Sequence, residues 1–202
     1  MSRPPGWADI CRHRCCETHL ELHGIEELRE NRTVPPSTQH TETSALLTRL
    51  DAQRRHVLGI LDGLGEADLR RSVLPSGWTI LGMVQHLTLD VERFWFSAVV
   101  AGDRRVIDGL AKGDEAWQVS TDVSGSEVFE RYLDESARAN QIIGSVPLDA
   151  KPLWWPSEQF GDWRLESLRE ITLHVIAETA CHAGHLDVVR ELQDGKQWII
   201  NT

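Results

Sequence analysis

The chain has 202 residues, of which 41% are hydrophobic and 26% charged, and a formal net charge of −10; these values suit one globular domain with a single core. The acidity excludes a general nucleic-acid binder, which needs a basic face for phosphates, and argues against docking on anionic membranes. No apolar run approaches the ~20 residues that span a bilayer, and the first residues, with Arg3, Asp9, Arg12, His13 and Arg14, lack the apolar core of a secretory signal. The expectation is a cytoplasmic protein with a small-molecule substrate and neither a nucleic-acid nor a membrane partner.

Residues 1–40 read as a poorly ordered N-terminal extension, ahead of a domain over 41–202. Within the extension, Cys11, Cys15, His19 and His23 recur every four residues. On a helix they would form a stripe of soft metal ligands, but the spacing is not that of a zinc finger. Of the four cysteines only Cys181 lies in the body of the chain, so a disulfide framework is not expected there.

The first helix is expected from about Glu42 to Leu64, because Leu47, Leu50, Val57, Leu61 and Leu64 recur at helical spacing. Thr41 or Thr43 would cap its start and Gly63 or Gly65 would stop it. His56 beside this stripe reads as a surface or packing residue. Pro75, Ser76 and Gly77 then mark a turn, and Thr79 is the natural N-cap of a second helix from Ile80 to Val100. On that helix His86 shares a mostly apolar face with Met83 and Phe94, with Asp90 one turn on. Residues 101–123 show no periodicity and read as a connection. Ser124 or Ser126 would cap a third helix to about Ile143, with Val128, Tyr132, Ala139, Ile142 and Ile143 on its apolar side. Residues 147–162 form a long loop around Trp154 and Trp155, and Asp162 would cap a fourth helix ending at Gly195. Four amphipathic helices without a hairpin or βαβ alternation give an all-α four-helix bundle. Of the eight tryptophans, Trp78, Trp95, Trp154, Trp155 and Trp163 are expected near helix ends or in the loop, as ordinary packing or as a pocket wall.

The last helix carries the chemistry. It places His174, Glu178, His182 and His185 at spacings of four, four and three, all within an arc of ~80° on a helical wheel. Ile171, Val189 and Leu192 fall on the same face. Unpaired polar groups are costly to bury, and a divalent metal ion (zinc, nickel or iron) would supply the missing partner. Glu178 and His182 make an i, i+4 ligand pair, and His86 from the second helix is the natural third donor, leaving an open position that can activate water or a thiol. His174 and His185 are then spare, as proton carriers, as partners to the ligands or as replacements for Glu178. Cys181 points roughly 100° away from His182 on the helix, so a cysteine–histidine nucleophile is not expected. Asp187, Arg190 and Glu191 lie on other faces and read as salt-bridging surface residues.

Two segments, "LRRSVLPSGWTILGMVQHLTLDVERFWF" and "LHVIAETACHAGHLDVVREL", resemble the DinB-like (YfiT-like) superfamily of metal-binding helical proteins. The nearer resemblance is to its branch related to mycothiol-dependent maleylpyruvate isomerase, and it covers about residues 43–197. It implies an up-down-down-up bundle with a metal held by three side chains at positions matching His86, Glu178 and His182. His174 matches a position often held by histidine in the wider superfamily, and His185 lies in the branch's "GH" motif. Some relatives use the metal to activate mycothiol or another small thiol for transfer or isomerisation, and relatives often form homodimers. The leading expectation is therefore a metal-dependent thiol transferase or isomerase, with His185 and His174 moving protons. The alternatives are a non-enzymatic metal- or ligand-binding sensor or stress protein, and a bundle whose histidines form a metal-free polar layer.

Overall fold

A computed structural model describes residues 36–110 and 116–198, with side chains from residue 41 onward. Cys11, Cys15, His19 and His23 lie outside the described residues. Among those described every regular element is helical and there is no strand.

Helix α1 spans Pro36–Ile60. It begins upstream of the expected Glu42, so Thr41 and Thr43 lie inside it and do not cap it. Glu42 instead binds Arg169 at 2.6 Å, tying α1 to the last long helix. Gly63 takes a φ of +76° just beyond α1, a left-handed conformation that glycine reaches without steric cost, so the expected stop signal is in place. A single turn, α2 (Glu66–Leu69), follows.

Thr79 caps α3 (Ile80–His86), its hydroxyl accepting from Gly82 N at 3.1 Å. The second long helix is not one regular α-helix as expected. From Leu87 to Val100 it widens into a π-helix, and its end shows the i→i−5 bond from Ala101 N to Phe96 O at 2.9 Å. Such segments are rare and concentrate at functional sites. The change falls beside Thr88, whose hydroxyl donates back to Val84 O at 2.8 Å; this kind of back-bond loosens the α-helical ladder. His86 is thus the last residue before the register changes.

Two short helices occupy segments read as connections: α4 (Arg104–Leu110) and, after the long helix α5 (Gly125–Ser145), α6 (Ser157–Phe160). Both are too short for periodicity to reveal. Helix α5 (Gly125–Ser145) opens with a capping box between Ser124 and Glu127, and its first N–H is also bound by Glu66 at 2.9 Å. Helix α7 (Leu168–Asp194) is capped by Ser167, not Asp162, and ends at Gly195 with φ +78°.

α1 packs on α7, and the π-helical segment packs on both α5 and α7. Leu50, Val57, Leu87, Trp95, Phe96, Ile143, Ile171, Val175 and Leu186 are buried together in one core; each fully buried aliphatic or aromatic side chain contributes on the order of 1.5–3 kcal/mol. Two residues of α7 depart from expectation. Leu192 is 60% exposed, so the apolar stripe ends before the last turn. Arg190, read as a surface residue, is buried. Its guanidinium donates to Ile60 O at 2.6 Å and Asp62 O at 3.0 Å, and Asp194 accepts from its Nε at 2.9 Å. It closes the carbonyl end of α1, which helical bonding leaves unsatisfied. Asp187 pairs with His56 Nε2 at 2.8 Å, and that imidazole stacks on Trp198, a packing role for His56.

Candidate metal centre

The junction between α3 and the π-helical segment faces α7, and this brings the predicted donors together from two helices. His86 is only 2% exposed. Its Nδ1 lies 2.9 Å from Asp90 Oδ2 one turn on, an arrangement that sets the tautomer. Any metal bond from this ring is therefore made through Nε2. The ring meets His182 edge-on, with centroids 5.0 Å apart. His182 Nε2 lies 3.6 Å from Glu178 Oε2, and its Nδ1 lies 3.5 Å from Nδ1 of His185. The structure thus places His182 beside His86, Glu178 and His185.

His174 is different. Its ring packs against Trp95 at 4.8 Å and Trp163 at 5.7 Å, and its Nε2 is buried with no hydrogen-bond partner. It belongs to an aromatic cluster in which Trp95 also stacks on Phe160 and contacts Trp155. Trp95 lies within the buried π-helical segment and not at a helix end, but Trp154, Trp155 and Trp163 do come from the loop before α7.

The electrostatics favour ligating protonation states. Burial chiefly pushes the His86 imidazole below its ordinary range, against the opposing pull of Asp90. Burial likewise lowers His174 and His185. The His182 contact, chiefly, holds the Glu178 carboxyl below its usual range despite its burial, with help from His174 and His86. Neutral imidazoles beside an ionised carboxylate are the forms that bind a divalent metal.

The spacing is equally informative. At 3.6 Å the Glu178–His182 pair is too long for a hydrogen bond. Two ligands at zinc bond lengths on a tetrahedron stand about 3.3 Å apart, close to what is seen. Among the described residues, however, no three His, Cys, Asp or Glu side chains converge on a metal-holding geometry as they stand. The donor chemistry and the Glu178–His182 spacing fit a divalent ion; closure by the third donor is not formed.

Sequence reasoning missed Trp117, whose indole lies face to face on His86 with centroids 4.2 Å apart and planes 16° apart. It sits in a stretch without periodicity, so no pattern marks it. Asp90 was visible as a neighbour of His86, and the i, i+4 histidine–carboxylate spacing was the available signal for its role.

The fold and the site define an all-helical protein with an imidazole–carboxylate cluster set between two of its long helices. The chain belongs to the mycothiol S-transferase family, whose model (Mycothiol-S-transferase) matches residues 45–195. This is a DinB-like family related to mycothiol-dependent enzymes, and it implies mycothiol as a thiol substrate. A search of curated proteins finds no match. No helix among the described residues is long and apolar enough to cross a membrane.

Proposed function

We propose that the protein is a metal-dependent thiol transferase that joins mycothiol, or a similar small thiol, to a small electrophilic acceptor. In this reading the long helices form an up-down-down-up four-helix bundle in the cytoplasm, and His86, Glu178 and His182 hold a zinc, nickel or iron ion. The observation that carries it is the Glu178–His182 pair, 3.6 Å apart and beside His86, in a chain of this family.

A divalent ion, when bound there, lowers the pKa of a thiol presented to it. The protein's own residues do the rest. Asp90 keeps Nδ1 of His86 occupied, so the ring presents Nε2. His185, beside His182, accepts the thiol proton at its unprotonated ring nitrogen as the S–H bond breaks; the sulfur's electron pair then forms the bond to the acceptor while the acceptor's leaving group departs or its double bond opens. His174, one turn before Glu178, is a second proton carrier on the aromatic side of the site.

Elemental analysis of protein purified without a histidine tag tests the metal. The expected content is near one equivalent. Less than about a tenth of an equivalent of any transition metal, unchanged on replenishment, would sink the reading. Mycothiol is then screened with electrophilic acceptors, and turnover that survives His182→Ala unchanged would exclude this site as its source. A second reading, a metal-free polar layer, is favoured by the incomplete convergence of the donors, and the same elemental analysis separates the two.

A further inference from the structure

We propose that Trp117 is a positioning residue that holds the plane of the His86 ring, and so the direction of Nε2, toward the shared site. The proposal rests on the metal reading above and adds to it a part of the chain outside the long helices.

Asp90 holds Nδ1 of His86 and is itself 30% exposed. The indole stacked on the ring face at 4.2 Å restrains the plane of the ring. Trp117 also lies edge-on to His182, with centroids 6.5 Å apart, so one indole borders both candidate ligands.

Three independent features fix the strand of chain that carries this indole. Gln85, the residue before His86, donates from Nε2 to Ala116 O and Gln118 O, each at 3.1 Å; it grips the backbone on both sides of Trp117. Gly82, one turn earlier on α3, lets the loop approach closely: a Cβ built there would stand 2.4 Å from Trp117 O. Farther along, Arg70 donates to the carbonyls of Val119 and Ser120, each at 3.3 Å, and to that of Val123. Arg70 is in turn held by Glu66 at 2.8 Å. Consecutive turns of α3 thus place the histidine and also seat the loop residue that covers it. A loop tryptophan filling surface would not need a glycine beneath its carbonyl and a glutamine clasping both its neighbours.

The test uses the full chain in metal-free form. Stacking on an indole face moves the His86 ring-proton signals upfield in NMR; His86→Gln assigns them. Trp117→Ala should abolish that shift and weaken Zn²⁺ binding about tenfold, the lower end of what partners of metal ligands contribute. Trp117→Phe keeps an aromatic face and should fall between Trp117→Ala and wild type in both measurements. Gly82→Ala leaves the indole intact but displaces its backbone, and should reproduce the Trp117→Ala result in a protein that still melts cooperatively. Retention of the His86 shift in Trp117→Ala, or its loss with Zn²⁺ affinity unchanged, would overturn the positioning role alone. A wild-type chain that binds no Zn²⁺ would overturn the metal reading and this proposal with it.

Discussion

Two polar clusters lie inside the same helical core and are built to different standards. In one, Arg54 of α1 meets Glu92 of the π-helical segment through paired bonds of 2.7 and 2.6 Å, and its remaining donors reach Asp51 at 2.7 Å and Asn140 at 2.6 Å. Asn140 also donates to Asp51 at 3.2 Å. In the other, His182 stands 3.5 Å from His185 and 3.6 Å from Glu178, and His174 Nε2 in the adjoining aromatic cluster has no partner. A cluster whose role is structural closes its bonds within the protein, because every open one is costly in a low-dielectric core. The histidine cluster leaves open bonds of the kind that the Arg54 cluster closes.

The sharpest way to break that comparison is at Arg54. Glu92 is 1% exposed, and burial pushes its carboxyl up against the opposing pull of Arg54. Arg54→Met strands it, and stability should fall by about 3–5 kcal/mol. Adding Glu92→Leu to that variant should recover most of the loss, since an apolar pair of similar volume replaces buried charges at little net cost. Urea unfolding of the two variants measures both. A single variant losing under about 1 kcal/mol would mean the cluster is not the structural one.

His182→Ala probes the other side. Its contacts are at or beyond the outer limit of hydrogen bonding, so metal-free stability should change by less than about 1 kcal/mol, whereas Zn²⁺ affinity should collapse. A metal-free loss as large as that of Arg54→Met would make the histidines a structural layer after all.

The acid response of His174 sharpens the contrast further. Burial lowers its folded pKa below the ordinary 6.5. Above 6.5 both folded and unfolded chains carry it neutral, and its contribution is fully present. As the pH falls from about 6.5 toward the lower folded pKa, the unfolded chain takes up a proton that the folded one resists, so stability is lost. Between pH 7.5 and 5.5 the wild-type melting temperature should therefore drop more than that of His174→Gln. Equal drops would show that this imidazole is protonated as readily in place as in solution.

The two clusters also differ in what the sequence discloses. The nearness of the candidate residues was legible: four polar residues at helical spacing on α7, and His86 at the end of α3 with Asp90 one turn on in the π-helical segment, are local patterns. The Arg54 cluster was not. Its members come from three helices, and Glu92 lies in a π-helical segment where a wheel of 3.6 residues per turn assigns the wrong faces. Arg190 was misread for the same reason, since its partners are carbonyls at the end of α1 and no spacing along α7 announces them. Caps show the same divide. Thr79 and Ser124 were readable because their bonds reach only three residues ahead; Ser167 makes an equally local cap, but the start of α7 is also held by bonds from Leu168 N to Ala150 O and from Arg169 N to Leu148 O, which no local spacing announces.

The smallest effect concerns the edge of the Arg54 cluster. Tyr132 is fully buried on α5, its hydroxyl has no hydrogen-bond partner, and Ser136 Oγ one turn on is in the same condition. Burial pushes the phenol upward, and Glu92 and Arg54 both act on it electrostatically. If the protein supplies every bond this cluster uses, the hydroxyl contributes nothing, and Tyr132→Phe should leave stability unchanged or raise it by up to about 1 kcal/mol. A loss of that size would instead mean that a water joins Tyr132 to Ser136 or to the ion pair. The Arg54 cluster would then not close all its bonds within the protein, and its contrast with the histidine site would rest on bond spacing alone.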